Sequence, residues 1–332
     1  MNTFDSIIHQ PHIVSHFRTV LETGKIPHAY IIQGEKYSGK EYAAKAFASA
    51  LLCENRSDNG PCGKCRSCIQ FAAGSHPDFI QVTHEKPGVI KVDEIRSQVL
   101  DTLEIIPYQG DWKVYMVGEA DLLNQEGQNA LLKSFEEPPA YAVILLLTVD
   151  ANALLETLRS RAVILTTQPV PLEEVRRFLR EQGVPEERVE VSAAFSRGNL
   201  GKAKLLATNE EYEQLVRDAL GLVREIASLD AAEIVSRVKG VSEAYKVSIG
   251  DYLDILSIYF RDLLVYKAAK DPNALVLKEE LPVIRQMARK ASYEGIEEIL
   301  TALDNTVKRI KANVNFELAV ELLLLTIRER VA

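Results

Sequence analysis

Three short runs of almost continuous apolar residues punctuate the first half of the chain: "HAYIIQG" (28–34), "KVYMVGEAD" (113–121) and "YAVILLLTVD" (141–150). Such runs suit strands buried on both faces of a parallel sheet. Helix-prone segments such as "KEYAAKAFASALL" (40–52) lie between them, and the alternation predicts βαβ units and an α/β domain. After "ILTTQPVPLEE" the strand-like runs stop. Pro169 and Pro171 mark a boundary and Leu172 opens a helix. A small helical region is expected to about residue 207, and everything from about 208 onward is expected to be helical. Ile296, Ile299, Leu300, Leu303, Val307 and Ile310 recur at spacings of three and four, one face of a helix. The last helix, near "FELAVELLLLTIRER", is apolar on more than one side, which predicts burial against several neighbours.

Composition narrows the class. The chain has 332 residues, 47% hydrophobic and 26% charged, enough for two or three domains with a sizeable core. No apolar run reaches the ~20 residues of a transmembrane helix. The start, "MNTFDSIIHQ", lacks the basic and apolar regions of a signal peptide, so a cytoplasmic protein with no membrane partner is expected. The net charge of −8 argues against tight autonomous binding to nucleic acid, which needs phosphate neutralisation by Lys and Arg. A narrow contact inside a larger DNA-bound assembly stays compatible with it.

Two clusters carry candidate chemistry. The first is "GEKYSGKE", Gly34 to Glu41, placed between a predicted strand and a predicted helix as a phosphate-binding loop must be. Gly34, Gly39 and Lys40 match the pattern. Glu41 stands where a Ser or Thr would ligate Mg²⁺. A carboxylate there repels phosphate: at 4 Å two like charges cost ~1 kcal/mol in water and ~4 kcal/mol at an intermediate dielectric. The strand "KVYMV" runs into Gly118, Glu119, Ala120 and Asp121. Glu119 can polarise a water, but nothing at 118 can hold a metal, so a second Mg²⁺ ligand is missing. Poor or absent hydrolysis is expected, with binding of ATP or ADP through Lys40 left doubtful. An ordinary glycine turn is the plain alternative.

The second cluster is "CENRSDNGPCGKCRSC", which holds all four cysteines, Cys53, Cys62, Cys65 and Cys68. Two-residue gaps with glycine and proline turns can deliver thiolates to one tetrahedral ion, and four thiolates fill a structural zinc site. An iron–sulfur cluster is the rival metal reading; a redox pair or free thiols are the alternatives without metal. His76 is expected to serve the "SHPD" turn.

In order along the chain, "HAYIIQGEKYSGKE", the cysteine cluster, "GEADLLNQEGQNALLKSFEEPP" and "LLETLRSRA" resemble the bacterial clamp-loader subunits of DNA polymerase III, members of the AAA+ family. "YFRDLL" (259–264) and "NVNFELAVE" (313–321) look like the helical collar of those subunits. The resemblance implies an AAA+ domain over 1–167 with an inserted zinc module at 53–68, a helical lid over 168–207 and a collar over 208–332. The damaged nucleotide site beside an intact "LRSR", with no long extension after 332, is most similar to the delta-prime type. A motor subunit of the gamma/tau type is the alternative. Asp150 and Gly201 fall where a sensor asparagine and a sensor arginine would stand, with Lys202 adjacent. The resemblance places Arg161, and less so Arg159, as an arginine finger acting in trans on a neighbour's ATP, the other reading being a surface ion pair. It also implies gamma/tau and delta subunits as partners, with the sliding clamp and primed DNA reached through the assembly. An autonomous ATPase and a zinc-dependent nucleic-acid-binding module are the readings from other classes.

Overall fold

The computed structural model describes residues 3–84, 88–246, 248–312 and 314–331, apart from the side chains of Glu187 and Lys311. Asn313, the first residue of "NVNFELAVE", and the terminal Met1, Asn2 and Ala332 lie outside the described residues. The chain separates into two compact units: residues 1–171 with 198–202, and residues 172–197 with 203–332.

The first unit is built on five parallel strands, β1 (Ala29–Gln33), β2 (Phe79–Val82), β3 (Lys113–Val117), β4 (Ala142–Thr148) and β5 (Val163–Thr166), in the order β2-β3-β4-β1-β5. Ile31 lies beside Leu146 on one side and Ile164 on the other. The three strands expected from the apolar runs are the central ones, and β3 and β4 are buried along their whole length. Alternate side chains serve two cores. Tyr30, Ile32, Met116 and Leu145 pack with Phe17 of α1 (Pro11–Thr23) and Phe47 of α2 (Lys40–Leu52). Phe17 and Phe47 stack at 4.3 Å between ring centroids. Ala29, Ile31, Tyr115 and Ile144 pack on the opposite face with Leu131 and Phe135 of α6 (Gln125–Glu136) and Ile95 of α4 (Val92–Ile95). The short helices α3 (Arg66–Ala72), α5 (Asp101–Leu103) and α7 (Glu156–Arg159) complete this unit.

The conspicuous stretch at 118–139 has structural reasons for its polar residues. Asn124 caps α6, its side-chain oxygen accepting the Gly127 N–H at 2.8 Å. Gln128 is buried, donates to the Leu123 and Ala153 carbonyls and accepts the Leu155 N–H. It therefore fixes the segment that leads into "TLRSR".

The second unit is helical: α8 (Leu172–Glu181), α9 (Glu186–Phe195), most of α10 (Leu200–Thr208), α11 (Glu210–Glu225), α12 (Ala231–Tyr245), α13 (Ile249–Ala269), α14 (Leu281–Lys290), α15 (Tyr293–Lys311) and α16 (Phe316–Val331). Leu172 begins a helix as expected, and α15 is the helix read from the Ile296–Ile310 spacing. α13 carries "YFRDLL": Tyr259, Phe260 and Leu263 are fully buried. Asp262 is buried with them, and its Oδ2 accepts the N–H groups of Val276 and Leu277 at 2.8 and 2.7 Å. α16 differs from its expectation on one side. Val320, Leu323, Leu324 and Ile327 are buried, while Leu318 and Leu322 remain exposed. No described helix is long and apolar enough to cross a membrane.

Candidate functional site

The phosphate-loop residues follow β1 at the carboxyl edge of the sheet, where α/β folds bind ligands. They lead into α2, and Gly39, at φ +85°, makes the turn into it. Lys40, Glu41, Gly118, Glu119 and Asp121 line one cavity of about 640 Å³. Gly39 lines the same cavity, whereas Gly34 does not.

Their partners differ from those of a phosphate site. Lys40 Nζ donates to the carbonyl oxygens of Gly34 and Glu35, both at 3.0 Å. Burial lowers the Lys40 pKa, and the carboxylates of Asp121, Glu119 and Glu41 oppose that shift. Glu41 pairs with Lys45 at 2.7 Å, one turn along α2. Asp121 Oδ1 accepts the Val149 N–H at 3.1 Å. Glu119, at φ +53°, lies 3.5 Å from His84 Nε2. A side chain at Gly118 would meet nothing within 4 Å. The carboxylate is missing there by substitution and not by crowding.

The two sensor positions are displaced or closed. Val149, not Asp150, lines the cavity; Asp150 Oδ1 instead accepts from Asn152 in its own turn. Gly201 lies against the loop itself, and a Cβ there would sit 2.5 Å from the Tyr37 carbonyl oxygen. No arginine fits at that position without moving the loop.

The four cysteines come together as their spacing requires. All four Sγ atoms lie within 4.8 Å of one another. Cys53 and Cys65 Sγ are 3.9 Å apart, close to the ~3.8 Å edge of a tetrahedron with ~2.3 Å metal–sulfur bonds. Backbone N–H groups of Cys62 and Cys68 point at Cys53 and Cys65 sulfur at 3.3 and 3.4 Å. Backbone N–H donors of Lys64 and Cys65 pull the Cys62 thiol down to about 6, whereas burial pushes Cys53 and Cys68 up. The cluster can hold a metal ion. His76 belongs to its support: Nδ1 accepts the Asp78 N–H at 3.1 Å and Nε2 donates to Ser67 Oγ at 2.9 Å. Ser67 in turn donates to the Leu52 carbonyl at 2.6 Å. Burial lowers the His76 pKa, opposed by Asp78.

Arg161 follows α7 and is exposed. Nη1 donates to the Thr157 carbonyl at 3.0 Å and Nη2 pairs with Glu136 at 3.1 Å. Arg159 is half-buried and donates to Asn152 Oδ1 at 2.9 Å. Two features of the site carried no recognised signal in the sequence. Asn199 Nδ2 donates to the Lys36 carbonyl at 2.8 Å. The buried Asp78 carboxylate accepts the Tyr108 and Gln109 N–H groups, both at 2.7 Å.

Comparison with known proteins gives the family. A family model described as "DNA polymerase III, delta subunit" matches residues 9–171, and one for the C terminal of the same subunit matches residues 223–329. The chain is 31% identical to the DNA polymerase III subunit delta′ of Pseudomonas aeruginosa, over 90% of both chains. It is 27% identical to the DNA polymerase III subunit tau of Bacillus subtilis, covering 96% of this chain but spanning only 60% of that protein. A crystal structure of a DNA polymerase III gamma subunit-related protein from Thermotoga maritima aligns with a TM-score of 0.46 at 21% identity, over 96% of this chain and 99% of that one. With family models covering both halves and a delta′ relative aligned over nine-tenths of its length, the chain belongs to the DNA polymerase III clamp-loader subunits and is most like delta′.

Proposed function

We infer that this chain is a mostly non-hydrolysing subunit of the DNA polymerase III clamp loader, acting in the cytoplasm and supplying Arg161 in trans to the ATP of a neighbouring gamma/tau subunit. One observation carries the reading. The chain's own cavity lacks two Mg²⁺ ligands, at Glu41 and Gly118, while Arg161 stays exposed on an easily exchanged ion pair. A guanidinium beside a γ-phosphate stabilises charge that develops during phosphoryl transfer, and such fingers accelerate hydrolysis by about 10³–10⁵-fold. The two roles use different residues, so one is lost without the other. Residues 168–207 serve as a lid and 208–332 as the collar that joins gamma/tau and delta subunits. The sliding clamp and primed DNA are engaged through the assembly. The four thiolates hold a structural zinc, which leaves no open position for chemistry.

The test has two arms. The purified chain is expected to show no ATP turnover above background with Mg²⁺ and primed DNA; turnover lost in Lys40→Ala would establish the motor reading instead. In the reconstituted loader, Arg161→Ala is expected to remove hydrolysis at the adjoining site. Unchanged turnover would refute the finger.

A further inference from the structure

Residues 198–202 depart from the sequence around them and pack within the first unit. The Val170 N–H donates to the Gly198 carbonyl at 2.8 Å. Gly198 sits at φ +84°, and a Cβ there would lie 2.6 Å from the Val170 carbonyl oxygen, so this anchor admits only glycine. From it, the segment reaches the tip of the phosphate loop. Asn199 Nδ2 donates to the Lys36 carbonyl at 2.8 Å, and the Gly201 N–H donates to the Tyr37 carbonyl at 3.2 Å. Two successive loop carbonyls are thus each held by one donor of the segment.

The loop needs such holding. Tyr37 is at φ +67°, a conformation that a bulky residue keeps only where its surroundings over-determine it. Some of the loop's other groups are also engaged internally. The Ser38 N–H donates to the Glu35 carbonyl at 3.1 Å, and Lys40 Nζ takes the Gly34 and Glu35 carbonyls. Gly34 cannot carry a side chain, since a Cβ would meet Thr167 Oγ1 at 2.0 Å. A phosphate entering this loop would have to draw Lys40 from two hydrogen bonds beside three opposing carboxylates.

We propose that residues 198–202 are an internal latch that holds the phosphate loop in one conformation without nucleotide, through Asn199 on Lys36 and Gly201 on Tyr37. The inference rests on the reading of this chain as a silent subunit and adds the device that keeps its loop fixed. The latch also explains why Asn199 and a glycine at 201 occur together: one supplies the donor and the other permits the approach.

Hydrogen–deuterium exchange on the full chain tests it. Asn199→Asp keeps the oxygen that accepts the Lys202 N–H at 3.0 Å and turns the donor facing Lys36 into an acceptor. Gly201→Ala forces a methyl group against Tyr37. Wild-type exchange over 34–41 is expected to be the same with and without ADP and Mg²⁺. Both variants are expected to exchange there at least about fivefold faster, the equivalent of one net hydrogen bond, with α6 unchanged as a folding control. Wild-type rates in both variants, or protection in the wild type that appears only with ADP, would overturn the latch. Neither result bears on Arg161, whose effect is read separately in the assembled loader.

Discussion

At the residue scale, the proposed finger role requires that Arg161 be cheaply released. Its pair with Glu136 is exposed on both sides, 37% and 53%, and exposed pairs contribute ~0–1 kcal/mol. Arg161→Ala should therefore leave the unfolding free energy of the isolated chain, from urea melts, within ~1 kcal/mol of wild type. The same substitution should cost the neighbouring site ~10³-fold or more in hydrolysis. A large loss of stability would make Arg161 a structural residue. Glu41 gives the converse case. Restoring a hydroxyl with Glu41→Thr leaves Gly118 without a ligand and Lys40 engaged by the loop carbonyls. Titration with a fluorescent nucleotide should accordingly show no gain of Mg²⁺-dependent affinity in Glu41→Thr. A gain of tenfold or more would mean that Glu41 alone silences the site.

At the scale of elements, α13 shows how one buried carboxylate joins a helix to a loop. Asp262→Ala would leave the Val276 and Leu277 N–H groups without their acceptor, at a cost of about 1–3 kcal/mol. Asp262→Asn keeps an acceptor oxygen and removes the charge. Burial raises the Asp262 pKa above 3.8, so the folded state holds its proton longer than the unfolded chain. Wild-type stability from this group is full below about pH 4 and falls as pH rises through the folded value. The asparagine variant should gain on wild type across that range in denaturant melts; a parallel dependence would refute the assignment. The four-cysteine cluster gives a second prediction. One metal per chain is expected, and chelation should raise amide exchange over 53–76 before the central strands respond, because metal binding and local folding are coupled. Loss of metal without such a change would make the ion incidental.

These elements also show what was legible beforehand. β1, β3 and β4 read as strands because burial on both faces makes them continuously apolar. β2 and β5 are the two edges of the sheet, and their burial is partial, so their apolar runs are short: Ala162–Leu165 at β5 and only Phe79 and Ile80 at β2. The thiol cluster was legible because its spacing is local. The proposed role of Arg161 comes only from the resemblance, since Arg161 by itself is one more exposed ion pair. The contact of Asn199 with Lys36 spans 163 residues, and no local pattern encodes it.

At the scale of the whole molecule, the two units answer differently to acid. All six histidines lie between His9 and His84, within the first unit. Burial lowers the pKa of both His16 and His76 from 6.5. The unfolded chain therefore binds protons near pH 6.5 that the folded first unit resists. The stability these two groups contribute is full above pH 6.5 and is lost as pH falls below it. The second unit has no histidine to titrate between pH 7.5 and 5.5. The chain also carries its own reporter, because the single tryptophan, Trp112, belongs to the first unit. Tryptophan fluorescence thus follows the first unit, while helical circular dichroism is dominated by the second. On lowering the pH from 7.5 to 5.5, the fluorescence melting temperature should fall and the main circular dichroism transition should stay in place. His16→Gln should reduce the fluorescence shift. Transitions that move together would show that the two units unfold as one cooperative body, and a fluorescence transition that stays fixed would show that the buried histidines are not linked to stability.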